Sequence, residues 1–228
     1  MASALVLRGD FHMHTWYSKD CGTRPAALVK RALKVGLTCI AVTDHNTIKG
    51  GLEVQKIAPP GLKVIVAEEV KTPYGEITGF FLKEEVPKGL SPEETCKRIK
   101  AQGGLVSIPH PYDRVRRYVL QPEVVEAIMP YIDIVEVFNA RTTFLRDSDA
   151  ARAFAEKHGF AKGAGSDAHC TLELGHVFVE MPPFDGAQGF KESLRAAKIK
   201  ARRSSPLYHS VSTFTKIRKR VLLWGSGR

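Results

Sequence analysis

Histidines and carboxylates fall in short groups along this 228-residue chain. His12 and His14 are separated by one residue, so on a strand both imidazoles point to the same side. Asp167 and His169 repeat that spacing far downstream. Between them stand Asp44-His45-Asn46, Glu68-Glu69, His110-Pro111 and Asn139. A lone histidine in a strand is ordinarily only hydrogen bonded. Five of the eight histidines (His12, His14, His45, His110 and His169) beside acids in such groups are instead the makings of a metal centre. Imidazole mixed with carboxylate, and no thiolate, suits Mn, Zn or Fe and disfavours a soft-metal or iron–sulfur site. A structural zinc closes four ligands, usually with cysteine. The larger sulfur-free set therefore points to a catalytic centre with two or three ions. Two such ions can activate a hydroxide and polarise a phosphoryl oxygen for in-line attack. Asp44 reads as a group that orients a histidine or closes a turn.

These residues sit where the sequence predicts strand ends. Apolar bursts recur at residues 5–7, 39–42, 64–67, 77–82, 105–108, 132–138 and 160–164. They are short and rich in β-branched residues, as in parallel strands buried on both faces. Helix start signals lie between them: Thr23 ahead of Pro25, then Asn46, then Ser91 ahead of Pro92 and Glu94. A further helix over 146–158 ends at Gly159, and a last one covers 187–200. Repeated strand–helix alternation predicts an α/β fold, either a barrel or a doubly wound sheet. In a parallel barrel all strand ends converge on one face.

Composition narrows the class. With 43% hydrophobic and 25% charged residues the chain can bury a core, which excludes a largely disordered protein. No apolar run approaches the ~20 residues that span a bilayer, and no secretory leader is expected at the start. Four scattered cysteines (Cys21, Cys39, Cys96 and Cys170) give no disulfide framework, so a reducing cytoplasm is expected.

In order, Asp10-Phe11-His12-Met13-His14, Thr43-Asp44-His45-Asn46, Ala67-Glu68-Glu69, His110-Pro111 and Gly165-Ser166-Asp167-Ala168-His169 resemble the motifs of the PHP (polymerase and histidinol phosphatase) family. These are metal-dependent phosphoesterases, and the resemblance spans roughly residues 7–176. It implies a distorted (β/α)7 TIM-like barrel with the metals at the C-terminal rim of the strands. It also implies a residue-by-residue ligand set. His12 and His14 would bind one ion with Glu69 and Asp167. Glu69, rather than Glu68, would bridge to a second ion held by His110. His45, Asp20 and His169 would form a third set, although the segment before Asp20 carries one residue more than the family pattern. Asn139 stands where some members have histidine, which makes it a weaker ligand or a turn cap. Glu69, Asp167, His169 and Arg141 are the expected catalytic residues.

A phosphate substrate also needs cations beyond the metals. Arg114, Arg116 and Arg117 follow His110-Pro111, and Arg141 follows Asn139. Each offers the guanidinium fork that matches phosphate oxygens. The net charge of +10 has a different location. Residues 191–228 hold eleven of the 34 Lys and Arg residues and one of the 24 acids, so residues 1–190 are neutral. A phosphoesterase domain over 1–190 followed by a basic C-terminal helix and tail over 191–228, packed on the same domain, is expected. Its substrate would be a small phosphorylated metabolite or nucleotide. The alternatives are attack on the 5′ end of RNA or DNA steered by the basic segment, a non-catalytic metal-stabilised nucleic-acid module, and an amidohydrolase. The last would usually need a bridging lysine on a strand, where this chain has Glu69.

Overall fold

The computed structural model describes residues 6–205 and 207–225, without the side chains of His209, Arg220 and residues 222–225. Leu5 of the first predicted strand and Arg228 of the basic segment lie outside the described residues. The strands are β1 Leu7–Asp10, β2 Cys39–Val42, β3 Lys63–Thr72, β4 Gly75–Phe80, β5 Leu105–Ile108, β6 Ile132–Asn139, β7 Ala161–Gly165, β8 Val177–Met181 and β9 Lys198–Ala201. The helices are α1 Pro25–Lys34, α2 Lys49–Ile57, α3 Pro92–Ala101, α4 Pro122–Ile128, α5 Leu145–His158, α6 Gly186–Arg195 and α7 Leu207–Gly225.

The strands form one sheet in the order β7-β6-β5-β4-β3-β2-β1-β8-β9. It curls until the residues after β1 meet those at the end of β7. Phe11 N–H donates to Ala164 O (3.2 Å), Asp167 N–H to His12 O (2.7 Å) and His14 N–H to Ala168 O (3.0 Å). The result is a distorted TIM-like barrel, nearly closed at the end that carries the histidines. Phe190 of α6 is fully buried, packs within 4.9 Å of Phe11 and 5.9 Å of Phe80, and fills the barrel below His12.

The sheet is not all parallel. β1/β2, β2/β3, β5/β6 and β6/β7 run parallel, but β3/β4 and β4/β5 are antiparallel, as are β1/β8 and β8/β9. The burst at 77–82 is thus the return strand of a hairpin. It brings its first residues, not its last, to the rim.

Local signals mostly hold. Ser91 Oγ accepts from Glu94 N–H (3.2 Å) and caps α3. Gly159 ends α5 in the left-handed region at φ 71°. Arg24, not Thr23, occupies the cap of α1. Asn46 caps no helix: at φ 57° it turns the chain, and its Oδ1 accepts from Lys71 N–H (2.8 Å). The last predicted helix stops at Arg195, because Lys198–Ala201 pairs with β8 instead. The expected start of the basic segment, after residue 190, therefore falls inside α6. The basic segment continues the sheet as β9 and then forms α7.

Candidate metal centre

The strand ends deliver the ligand-type side chains to one buried point. His12 and His14 are 2% and 1% exposed, and Glu69 and Asp167 are each 1% exposed. His14 Nε2 lies 3.2 Å from Asp167 Oδ1 and 3.7 Å from Glu69 Oε2; His12 Nε2 lies 3.6 Å from both carboxylates. A tetrahedron with metal–ligand bonds of about 2.0–2.1 Å has edges of about 3.3–3.4 Å. The four distances run from close to such an edge to a few tenths of an ångström longer, and His12, His14 and Asp167 form a set that could hold an ion.

Their tautomers are fixed from behind. Glu136 Oε1 lies 3.0 Å from His12 Nδ1, so that nitrogen carries the proton. Ser18 Oγ donates to Asp44 Oδ1 (2.6 Å), so His14 Nδ1 donates to Ser18 Oγ (3.1 Å). His169 Nδ1 donates to its neighbour Asp167 O (2.8 Å). In all three rings Nε2 is left as the atom turned inward to face an ion, the usual result of outer hydrogen bonds around a metal ligand. Four atoms of this cluster, His12 Nε2, His14 Nε2, Asp20 Oδ1 and Asp167 Oδ1, are buried without a hydrogen-bond partner. Such orphans are costly in a protein interior, and cations placed among them would satisfy all four. The residues fit metal ions.

Two more groups adjoin the first. His45 Nδ1 lies 3.0 Å from Glu69 Oε2, and His110 Nε2 lies 2.9 Å from Glu69 Oε1. Glu69 thereby touches four histidines. Glu68, on the opposite face of β3, accepts from Val86 N–H (2.9 Å) and is remote from them. On the other side, Asp20 Oδ1 stands 3.5 Å from His169 Nε2, and its Oδ2 stands 3.7 Å from His45 Nε2. The extra residue in the segment 17–20 is absorbed in a turn that still delivers Asp20.

Charge follows the same geometry. Burial lowers the His14 pKa to about 3, and His169 and His45 push it the same way, so this ring is neutral. Burial disfavours a charged His12, but Glu136, Asp167 and Glu69 outweigh it and hold its pKa well above the ordinary value. His45, opposed by burial and favoured by Glu69, is raised to about 10. Burial opposes ionisation of Glu69 and Asp167, yet their cationic neighbours keep both carboxyls well below the usual range.

Three expected site residues take other duties. Asn139 spends its whole carboxamide on the protein: Oδ1 accepts from Arg116 Nη2 (3.1 Å) and Arg141 N–H (2.9 Å), and Nδ2 donates to Glu136 Oε2 (3.1 Å) and Asp167 Oδ2 (3.3 Å). No lone pair remains for an ion. Arg141 directs its fork at Glu173 (2.7 and 2.9 Å) and its Nη2 also at Ser212 Oγ (2.8 Å), so it braces the site from the side. Glu173 in turn accepts the N–H groups of His169 (2.9 Å) and Cys170 (3.1 Å). Arg114 faces Asp147 (3.1 Å) beside a neighbouring groove, outside the mouth of the site. Arg116 does reach the centre, paired with Asp167 and held by Asp113 (3.2 Å).

Other contributors are not evident in the sequence motifs. Glu76, at the start of β4, places its carboxylate 3.9 Å from His45 Nδ1 and 3.8 Å from His110 Nε2, grouping with His45 and Glu69 as a set able to hold an ion. Glu136 was legible only as one of two acids, with Asp133, inside the apolar run 132–138. The mouth is a cavity of about 390 Å³ whose walls include Lys19, Lys71, Arg116, Arg117 and Lys216. Lys71 Nζ and the Arg117 guanidinium lie 3.6 and 5.8 Å from the Tyr118 ring.

A nearly closed barrel with this rim defines a fold class. The PHP domain model matches residues 10–126, and a PHP-associated model matches residues 146–199. The chain belongs to the PHP family. It is 35% identical over 177 residues to the uncharacterized protein MJ0417 of Methanocaldococcus jannaschii, covering 76% of this chain and 70% of that one. It is 42% identical over 145 residues to MJ1587 of the same organism, covering 59% and 82%. Among solved structures it resembles a two-domain protein from Bacteroides vulgatus containing a predicted PHP-like metal-dependent phosphoesterase. That match has a TM-score of 0.71 and 20% identity, and covers 87% of this chain and 66% of the other.

Proposed function

We propose that this chain is a metal-dependent phosphoesterase that hydrolyses a small phosphorylated metabolite or nucleotide. The reading is carried by one juxtaposition: Asp20 and Asp167, each with a partnerless Oδ1, line a cavity also walled by Lys and Arg, and the partnerless Nε2 atoms of His12 and His14 are buried behind Asp167, 3.6 and 3.2 Å from its Oδ1. His12, His14, Glu69 and Asp167 would hold one ion, Glu69, Glu76 and His110 a second, and Asp20, His45 and His169 a third. When bound, Mn, Zn or Fe would supply Lewis acidity toward a phosphoryl oxygen and an activated water. The chain's own residues do the rest. Glu136 and Ser18 hold the Nδ1 protons of His12 and His14 and aim both Nε2 atoms inward. Arg116, beside Asp167, is placed to meet the equatorial oxygens of an incoming phosphate, and Arg117, Lys71 and Lys216 to neutralise charge at the mouth. A 390 Å³ cavity suits a small substrate.

The charge of the C-terminal segment favours the same ranking over a nucleic-acid substrate. Lys219 is consumed by main-chain carbonyls, so it offers nothing to a phosphate backbone. Among the described residues no helix is long and apolar enough to cross a membrane. The free cysteines, three of them buried, suit the cytoplasm.

The test is hydrolysis of a panel of phosphomonoesters, nucleoside bisphosphates and 5′-phosphorylated oligonucleotides with Mn, Zn or Fe supplied. Metal-dependent release of phosphate from a small substrate is expected. A metal-loaded protein inert on every phosphate ester would sink the reading.

A further inference from the structure

Helix α7 reaches the metal centre without supplying a ligand to it. Lys219 Nζ donates to the carbonyls of Trp16 (2.6 Å), Ser18 (2.7 Å) and Cys21 (2.7 Å). An ammonium has three N–H donors, and here all three go to one loop. That loop carries Asp20 and also Ser18, which sets the His14 tautomer. One turn earlier on α7, Thr215 packs beside Gly22. Two turns earlier, Ser212 receives the Arg141 guanidinium, which fixes Glu173 and through it the backbone of His169. Cys21 Sγ, within the caged loop, lies 3.2 and 3.1 Å from the carbonyl oxygens of His14 and His169.

Three carbonyl dipoles that converge on one point repel one another. Only a cation makes that backbone shape favourable. Remove the ammonium and the loop has reason to splay, carrying Asp20 away from His45 and His169. Among the described side chains of α7, Arg218 is exposed and Lys216 faces the mouth.

We propose that Lys219 is a positioning residue for the metal centre, holding the 16–21 loop in the shape that presents Asp20 to the ion bound with His45 and His169. The inference rests on the metal-centre reading above and deepens it. It makes the C-terminal helix a working part of the site rather than a basic appendage.

The test uses full-length protein and counts metal. Wild type, Lys219→Met and the exposed charge-loss control Arg218→Met are loaded with Mn, desalted and submitted to elemental analysis, with competition titrations for affinity. Lys219→Met is expected to weaken one ion by about 10- to 100-fold, the range for outer-shell partners, while the remaining ions stay. Arg218→Met should match wild type. In Lys219→Ala, ammonium chloride should restore the lost ion where equimolar sodium chloride does not, because ammonium can re-enter the carbonyl cage. Unchanged metal content and affinity in Lys219→Met overturns the proposal. So does simultaneous loss of all ions with a lowered melting temperature in the metal-free state, or a loss that ammonium fails to reverse. A wild-type protein that binds no metal under any loading overturns the functional reading itself, and this inference falls with it.

Discussion

Glu69 Oε2 stands within 3.7 Å of imidazole nitrogens from His12, His14 and His45, and its Oε1 meets His110. One carboxylate so placed carries the negative charge that several ions share. Glu69→Gln keeps the shape and removes the charge. It should lose at least one ion by elemental analysis, and phosphatase activity should fall by more than about 100-fold, since even outer-shell partners cost 10- to 100-fold. Circular dichroism should show the barrel intact. The histidines give a second expectation. Without metal, His45 is raised to about 10 and His12 well above its ordinary value, so both carry a proton at pH 7. A metal takes the neutral ring. Binding must therefore release protons, and apparent affinity must rise with pH until it approaches 10. Titration calorimetry in two buffers of different ionisation enthalpy reads this directly. Buffer-independent heats would contradict it.

At this scale the sequence was informative where a ligand-type residue follows a parallel strand, as His12, His14, His45, His110, Asp167 and His169 do; Glu69 lies inside β3, in the part paired with β4. For Asn139 the sequence left two readings, weak ligand or turn cap, and its Oδ1 does cap the following turn at Arg141 N–H; its other partners, Arg116 and Glu136, come from segments whose approach only the fold reveals. Arg141 misled because its partner Glu173 lies 32 residues away along the chain.

The β3–β4 hairpin shows why Glu76 escaped. Period and composition cannot separate a buried parallel strand from a buried antiparallel one. An antiparallel strand reverses which end faces the rim, and Glu76 sits seven residues after Glu69 on the returning arm. Glu76→Gln should lower occupancy of the ion shared with His110 while leaving the His12/His14 ion in place, as read by metal content per chain. The closure of the barrel makes a sharper claim. A Cβ on Gly165 would stand 2.2 Å from His12 Cβ and 2.7 Å from its backbone nitrogen. Gly165→Ala should therefore push β7 away from the chain after β1, costing about 3 kcal/mol by chemical denaturation, the upper part of the usual overpacking range. At the other extreme, Ser91→Ala removes only a helix cap and should cost about 1 kcal/mol with metal content unchanged.

For the whole molecule the question is what the +10 charge does. Composition located it correctly in the last 38 residues, but not its use, because a charge count is blind to partners. In the fold, Arg203 donates to Thr143 O, Lys200 pairs with Glu180, and Lys219 is caged. Arg202, Arg203 and Arg218 lie off the mouth. Neutralising these three should change kcat/KM on a small substrate by less than tenfold, or about 1.4 kcal/mol. An oligonucleotide substrate would instead show a steep salt dependence, with its log–log slope falling by about 0.7 for each lost contact.

The three backbone bonds that join the residues after β1 to β7 also set a schedule for biosynthesis. His12 and His14 leave the ribosome early, yet Asp167 and His169, their partners across the seam, are made more than 150 residues later. Until then the nascent chain holds an open pair of imidazoles and no closed coordination shell. Long-range closure of this kind is slow and comes late in folding. A metal centre built across this seam would therefore be completed only on a nearly finished polypeptide, and an ion that arrived during translation would meet only a weak, exchangeable chelate.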